Sequence, residues 1–591
     1  MIKKNDKSSL IGLLLMGAIL IIFNTFFFET APQEAVQETE TEIKNSDENI
    51  GKNTEEANNN TSPEQISNPI ITEKTDEQEF ILENDSIKLV LSSKGGEIKS
   101  VELKKYKTFD GRPLELFDSE DSKFNIYGGG VNSENEDFSL QSKSENTITL
   151  RHTINENTFI EYNYSLKEDQ YLVDFSIKTE GFDNIATRDN EIWMEWKIAA
   201  PQTEKSKTNQ EQYTGFYFQE SYSKDVDYVW DNDEKEKIDV DLSWIAFKQQ
   251  FFSTIISSSN NFKSGSSFQV SKNEDKYIKT LSLETRLDDK ENEFNYEIYF
   301  GPNDYKKLKE YNKSYEEIIP LGWGIFGWVN RVIVINIFDF LRNSAGIKNY
   351  GLIILILTLI IKLTLSPLTY KSYLSQAKMK VLKPEIDKIT EKHKEKDPMK
   401  AQKETMSLYR KAGVNPMGGC LPMLVQFPIL IAMFRFFPAS IELRQKSFLW
   451  ADDLSSYDSI YDLGFNIPMY GDHISLFTLL MTVSTLIYTH MNSQMTSTQM
   501  PGMKWMMYLM PIMFLGFFNN YAAALSYYYF LANVFTFSQM YFMRRFVDDN
   551  ALLAQIEENK KKPAKKKSKF QKKLEEMQKK QEQQLKNRKK K

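Results

Sequence analysis

The sequence predicts a multi-domain membrane protein: an α-helical transmembrane bundle of six spans, a large all-β sandwich outside the membrane, and a helical hairpin on the cytoplasmic side. Three observations carry this. Apolar runs long enough to enter a bilayer occur near the N-terminus and again, repeatedly, beyond Leu321. Between them lies a long stretch of strict apolar–polar alternation, the period of half-buried strands. Charge is segregated as well. The formal net charge of -7 over 591 residues combines an acidic segment at 29–79 with an almost wholly basic one at 560–591.

The elements follow in chain order. Lys3, Lys4 and Lys7 precede an apolar run at 10–28, broken only by Asn24 and Thr25. Phe26, Phe27 and Phe28 stand where a cleaved signal would carry small residues, so 1–28 reads as an uncleaved anchor. Residues 29–79, rich in Glu, Asn, Thr, Gln and Ser, bury too little apolar surface to offset the entropy of ordering and read as a disordered tether. Residues 80–318 read as the sandwich, from alternations such as Ile87, Leu89, Leu91; Ile148, Leu150, His152, Ile154; Tyr171, Val173, Phe175, Ile177; and Phe294, Tyr296, Ile298, Phe300. Its tryptophans, Trp193, Trp196, Trp230 and Trp244, read as core and solvated face rather than as a site.

Residues 319–345 are apolar and aromatic but carry Asn336, Asp339 and Asn343 along one side, the pattern of an amphipathic helix lying at a membrane interface. Residues 346–546 form a five-span core, with spans expected at 351–367, 417–437, 474–491, 505–518 and 521–542. Its long loop at 370–416 places Met379, Leu382, Ile386 and Ile389 at spacings of three and four. Asp397-Pro398 interrupts the run, and Gly413 and Asn415-Pro416 end it: a two-helix hairpin with a narrow apolar seam. Residues 547–591 read as a basic tail. Lysine-dense loops stay on the cytoplasmic side, so both termini are expected there and the sandwich outside.

Several function classes drop out. A single cysteine, Cys420, forms no intramolecular disulfide, and His152, His393, His473 and His490 are too scattered for a metal site. There is no phosphate-binding loop, nucleophile elbow or dinucleotide fingerprint. Neither an enzyme nor a cofactor is expected.

The most unusual residue is Lys362, the only charge in the run 351–367. A cation near the middle of a span costs about 2.5–3.5 kcal/mol on insertion scales, so such residues face a protein interior or a wet cavity. Thr358 lies one helical turn earlier on the same face. Gln426 interrupts the next span, and Ser526, Asn533 and Gln539 interrupt the last. Singly, each is an interhelical hydrogen bond worth about 0.6 kcal/mol. Together with a cation they describe a hydrated pocket that attracts acidic, hydrophilic segments.

Successive motifs now resemble a known family. They are Ser366-Pro367-Leu368-Thr369, Met379-Lys380 with Lys383-Pro384, Asn415-Pro416-Met417-Gly418-Gly419-Cys420, Gln426-Phe427-Pro428-Ile429, Glu442-Leu443-Arg444, Trp450 with Asp453-Leu454-Ser455, and Tyr528-Tyr529 with Asn533. This succession resembles the YidC/Oxa1/Alb3 membrane-protein insertases, and the tether and sandwich resemble their Gram-negative YidC type. The resemblance implies a bacterial inner-membrane protein that receives nascent chains in a hydrophilic groove open to cytoplasm and lipid. Their hydrophobic segments then pass into the bilayer, with or without the Sec translocon. It implies groove residues Lys362, Thr358, Gln426, Ser526, Tyr529 and Asn533. Many members carry arginine where Lys362 stands, so here the charge is kept and the bidentate fork is lost. Nascent membrane proteins, the Sec translocon, membrane lipids and the ribosome are the expected partners, the last through Lys560, Lys561, Lys562, Lys565, Lys566 and Lys567. A secondary transporter using the same lysine is the alternative. It predicts matched internal repeats, which the five later spans do not show.

Overall fold

The computed structural model describes residues 77–561 apart from 129–130, 135, 168–169, 182–190, 231, 273–275, 288–291, 394–397, 416–417, 419–420 and 496–502. The expected anchor, nearly all of the tether, and Lys562, Lys565, Lys566 and Lys567 lie outside the described residues, as does part of the motif 415–420.

The alternating segment folds into antiparallel sheets. One has nine strands, running in space from Val226–Val229 through Gly215–Glu220, Leu242–Lys248, Phe252–Phe262, Glu293–Pro302, Leu172–Glu180, Thr158–Leu166 and Thr147–Asn155 to Ser139–Lys143. A six-stranded sheet runs from Asn232–Ile238 through Ser266–Lys272, Lys279–Arg286, Ile192–Ala200 and Lys123–Gly128 to Val131–Asn132. Their inner faces meet in an aromatic core. Phe124, from the smaller sheet, packs edge-on against Tyr162 and Phe175 of the larger, with ring centroids 6.0 and 5.7 Å away. Trp196 reaches Phe247 of the larger sheet at 5.2 Å in a tilted pair. Such pairs add about 0.5–1.5 kcal/mol each beyond the area they bury. A four-stranded sheet (Glu79–Glu83, Ile87–Ser92, Ile98–Lys107, Pro113–Glu115) completes the β region. Ile87, Leu89 and Leu91 are fully buried, as alternation requires, whereas Ile154 is 42% exposed.

Eleven helices are described: α1 (Lys207–Gln212), α2 (Tyr305–Glu310), α3 (Gly324–Ser344), α4 (Tyr350–Val381), α5 (Lys383–His393), α6 (Pro398–Lys411), α7 (Leu421–Ala439), α8 (Leu476–Met495), α9 (Met503–Asn519), α10 (Ala523–Phe546) and α11 (Asp549–Lys561). Among the described residues, α3 and α4 are long and apolar enough by themselves to cross a bilayer, while 424–439, 476–491 and 507–519 form shorter apolar helices. Helix α3 contains two π-helical stretches, Val329–Val334 and Phe340–Ser344. It buries Val334, Ile335 and Phe338 and leaves Asn336 and Asn343 exposed. Fully buried Asn330 fastens it, donating to the carbonyls of Leu321 at 2.7 Å and of Ala432, on α7, at 2.8 Å.

Helix α4 starts at Asn349, whose side chain accepts from Leu352 N–H at 2.9 Å, an N-cap. Gly351 follows immediately, and a Cβ there would sit 2.2 Å from the Phe448 ring, so this approach requires glycine. The expected span ended at Pro367, but the helix continues through it to Val381. Proline costs one backbone hydrogen bond in mid-helix. Side chains add bonds at this turn: Ser366 and Gln539 both donate to the Lys362 carbonyl, at 3.1 and 3.0 Å.

In the hairpin, α5 and α6 pack with the end of α4 around Met379, Leu382, Ile386, Tyr409, Ala412 and Val414. Ile389, expected in this seam, is only half-buried. The start of the tail also differs from expectation. The segment read as a basic tail opens with α11, whose Ile556 is fully buried in the hairpin core. Lys560, in the last turn of α11, pairs with Glu385 at 2.7 Å and Glu557 at 2.8 Å. An amphipathic turn docked on a neighbour escapes a reading that weighs composition over the whole tail.

At its other end the bundle is joined to the sandwich by a buried ion pair. Arg444 Nε lies 2.9 Å from Glu204, and its Nη2 donates to the Lys107 carbonyl at 2.7 Å. Burial pushes the Glu204 carboxyl up to about 7 even with Arg444 beside it. Gln250 donates to the Pro438 carbonyl at 3.1 Å and Asn209 to the Asn520 carbonyl at 3.3 Å across the same junction.

Candidate functional site

Three helices converge on Lys362. The side chain projects from α4 and is 6% exposed. Its ammonium donates to Gln426 Oε1, on α7, at 3.1 Å and to Thr536 Oγ1, on α10, at 2.9 Å. Among the described residues no carboxylate lies within ion-pair distance of it. Gln539, one turn beyond Thr536, donates to Ser366 Oγ at 2.7 Å as well as to the Lys362 carbonyl. Cation, amide and hydroxyls thus form a polar patch between three otherwise apolar helices. Both partners of the ammonium are neutral side chains, so the positive charge is solvated but not cancelled.

Of the residues singled out from the sequence, the structure brings Lys362, Gln426 and Gln539 together and disperses the rest. Thr358 is fully buried, and its hydroxyl donates back to the Ile354 carbonyl at 2.7 Å within its own helix. Asn533 donates to Ser484 and Thr485 of α8, at 2.9 and 3.0 Å. Tyr529, one turn earlier on α10, is half-buried. Ser526 belongs to a different network at the sandwich end, where its hydroxyl lies 3.0 Å from that of Thr478.

That second network is buried and well tied. Asp458 accepts from the Leu476 and Phe477 N–H groups at 2.9 and 3.0 Å, satisfying the first turn of α8, and from Trp450 Nε1 at 2.8 Å. Ser475, Thr478, Asn519 and Ser526 are all essentially buried around it. The sandwich end of the bundle is therefore plugged by satisfied polar groups, while the Lys362 patch lies deeper along the helices.

Sequence reasoning missed Thr536 and the tie from Gln539 to Ser366. Thr536 stands three residues after Asn533, but Asn533 bonds to α8 and Thr536 to Lys362 on α4, so helical spacing does not reveal its role.

Two family descriptions match the chain in tandem: the YidC periplasmic domain over residues 80–335 and the 60Kd inner membrane protein over residues 340–551. Among similar proteins, the membrane protein insertase YidC of Parabacteroides distasonis is 38% identical, with 95% of each chain covered. The one from Bacteroides fragilis is 39% identical over 94% of each chain. That of Amoebophilus asiaticus is 37% identical, covering 95% of this chain and 96% of its own. All three bear the name insertase, which supports no transporter reading. Over almost its whole length, then, the chain belongs to the YidC family of inner-membrane insertases, proteins that place other proteins in the membrane.

Proposed function

We propose that Lys362 is the fixed positive charge of a hydrated groove that receives hydrophilic flanks of nascent membrane proteins while their apolar segments pass into lipid. The observation behind this reading is a buried ammonium that, among the described residues, is held by the neutral side chains of Gln426 and Thr536. A cation with neutral partners keeps its field, and an acidic client segment leaving water finds there part of the solvation it gives up. Transfer of an apolar helix into lipid is downhill, so the protein needs no covalent chemistry, nucleotide or metal and is not an enzyme. The plug around Asp458 and Ser475 supports a groove closed on the sandwich side.

In this reading α4, α7, α8, α9 and α10 are spans, the 1–28 anchor is a sixth, and α3 lies at the outer interface. Both termini and the α5–α6 hairpin are cytoplasmic, and the sandwich is periplasmic. Lysine density in the hairpin and tail supports the orientation. The ribosome is met through Lys561, Lys562, Lys565, Lys566 and Lys567, with Lys560 held back by its acidic neighbours. The Sec translocon is a partner for some clients.

Two experiments test the reading. Photocrosslinkers at Gln426 and Thr536 should trap a stalled nascent chain and those at Ser526 should not; equal trapping at all three would remove the groove. With Cys420 replaced, single cysteines at Ser176 and Ser271 should label from outside the inner membrane and one at Ser568 should not, and the opposite pattern would invert the topology.

A further inference from the structure

Between α7 and α8 the chain forms a small antiparallel hairpin, Tyr461–Ile467 paired with Gly471–Ile474. Its composition is wrong for a loop in water. Five large apolar side chains are at least 38% exposed: Ile460, Tyr461, Phe465, Ile467 and, at the tip, Met469 at 92%. Gly464, at φ +74°, and a register shift between Asp462 and Ile467 bulge the first strand, a device that re-aims side chains.

The base of the hairpin, by contrast, is fixed to the end of α9. Asn519 Nδ2 donates to the Tyr470 and His473 carbonyls at 2.9 and 2.8 Å, and Asn520 Nδ2 donates to the Tyr470 carbonyl at 2.8 Å. Gly516, in the last turn of α9, lies against the Met469 backbone so closely that a Cβ there would meet its carbonyl oxygen at 2.8 Å. A two-stranded hairpin is marginal alone. This one is held rigidly with its apolar side chains outward.

We propose that this hairpin is a membrane-surface anchor whose exposed side chains rest in the headgroup and upper acyl region of the periplasmic leaflet. The inference rests on the reading of α9 as a span. Continuity selects lipid as the occupant: Leu509, Ile512 and Met513 on α9 are exposed and apolar, and the hairpin prolongs that surface past the helix end. The residue types agree, since tyrosine and other amphipathic or aromatic side chains collect at membrane interfaces. The hairpin fixes the depth of α8 and α9 and supports the plugged end of the groove at its own leaflet.

The test uses the full-length Cys420→Ser protein in nanodiscs of phosphatidylethanolamine and phosphatidylglycerol, one protein per disc. An environment-sensitive fluorophore is placed singly at Phe465→Cys, Met469→Cys, Ile512→Cys or Ser259→Cys, the last on the exposed sandwich surface. The hairpin sites should emit to the blue of the Ser259 site. Lipid carrying a quencher near the top of its acyl chain should quench them several-fold more than it quenches the Ser259 site, and more than lipid quenched near the chain end does. If the hairpin sites respond to aqueous iodide as the Ser259 site does while the Ile512 site stays lipid-quenched, the anchor is refuted and the span stands. Loss of lipid quenching at the Ile512 site refutes the span instead, and the proposal with it. A blue shift at the hairpin sites that appears only with two proteins per disc would assign the surface to a second copy and overturn it.

Discussion

Among the described residues three lysines are buried, Lys248 and Lys279 in the sandwich and Lys362 in the bundle, and Lys248 and Lys362 are held differently. Lys248, 1% exposed, donates to the Tyr213 and Gln249 backbone carbonyls at 2.9 and 3.2 Å and lies within 6 Å of the Tyr213, Tyr217 and Trp230 rings. Its partners are parts of the sandwich fold and cannot leave. Lys362 is held by side chains from two other helices, each joined through rotatable bonds. Carbonyls of a closed core make a structural cage, whereas replaceable side chains make a site that a client can occupy. Arg444 offers another contrast, buried but paired with Glu204.

Removing one partner of the paired cation should have the largest effect. Arg444→Ala leaves Glu204 buried without its counter-ion, a change worth about 3–5 kcal/mol. Limited proteolysis of the full-length protein should then show the sandwich loosened from the bundle, and Glu204→Gln with Arg444→Met should restore most of the resistance. Unchanged resistance in Arg444→Ala would mean that the pair does not hold the joint.

A smaller loss is expected at the site itself. Lys362→Met should reduce insertion of clients with acidic translocated segments about tenfold, equivalent to ~1.4 kcal/mol, and spare neutral ones, while Lys362→Arg retains both. Reconstituted insertion assays with paired clients read this directly. Normal insertion of acidic clients by folded Lys362→Met would collapse the contrast between the two lysines.

For Lys248 the readout is a slope. Burial and the neighbouring Lys279 lower its ammonium from 10.5 to about 7. Between those values the unfolded chain holds a proton that the folded chain has shed, so this residue makes stability rise with pH, by at most about 1.4 kcal/mol per pH unit. Lys248→Met should flatten that rise in urea unfolding followed by tryptophan fluorescence. An identical slope in the variant would show that the cage does not strip the proton.

Lys560 should matter least. Its pairs with Glu385 and Glu557 are partly exposed, so Lys560→Ala should cost about 0.2–1 kcal/mol of α11 docking. Ribosome co-sedimentation at low salt should change less than in a variant with Lys565, Lys566 and Lys567 all replaced by alanine. The reverse order would transfer the ribosome contact from the tail to the helix.

How far such features could be read from residues depended on the range of the interaction. Alternation marked the sandwich because each strand faces one core, and Tyr171, Val173, Phe175 and Ile177 are all buried. It failed at Ile154, where the same period runs past the covered part of the sheet. Lys362 was legible because charge in an apolar run is costly wherever it points. Thr536 was not, since its role depends on how α10 is turned toward α4, which no single-helix period encodes. Thr358 shares the lysine's helix face, yet its hydroxyl is consumed by its own backbone. Ile556 was hidden by the lysines that follow it.

The place of Ile556 carries a further consequence, for timing. A chain is made from its N-terminus onward, so both hairpin helices leave the ribosome well before the residue that completes their shared core. Until α11 arrives, Met379, Leu382 and Ile386 face a gap that Ile556 fills in the finished fold. The hairpin core therefore closes only after every bundle helix has been made, and premature termination before Ile556 would yield a molecule with every bundle helix present and an unfinished hairpin.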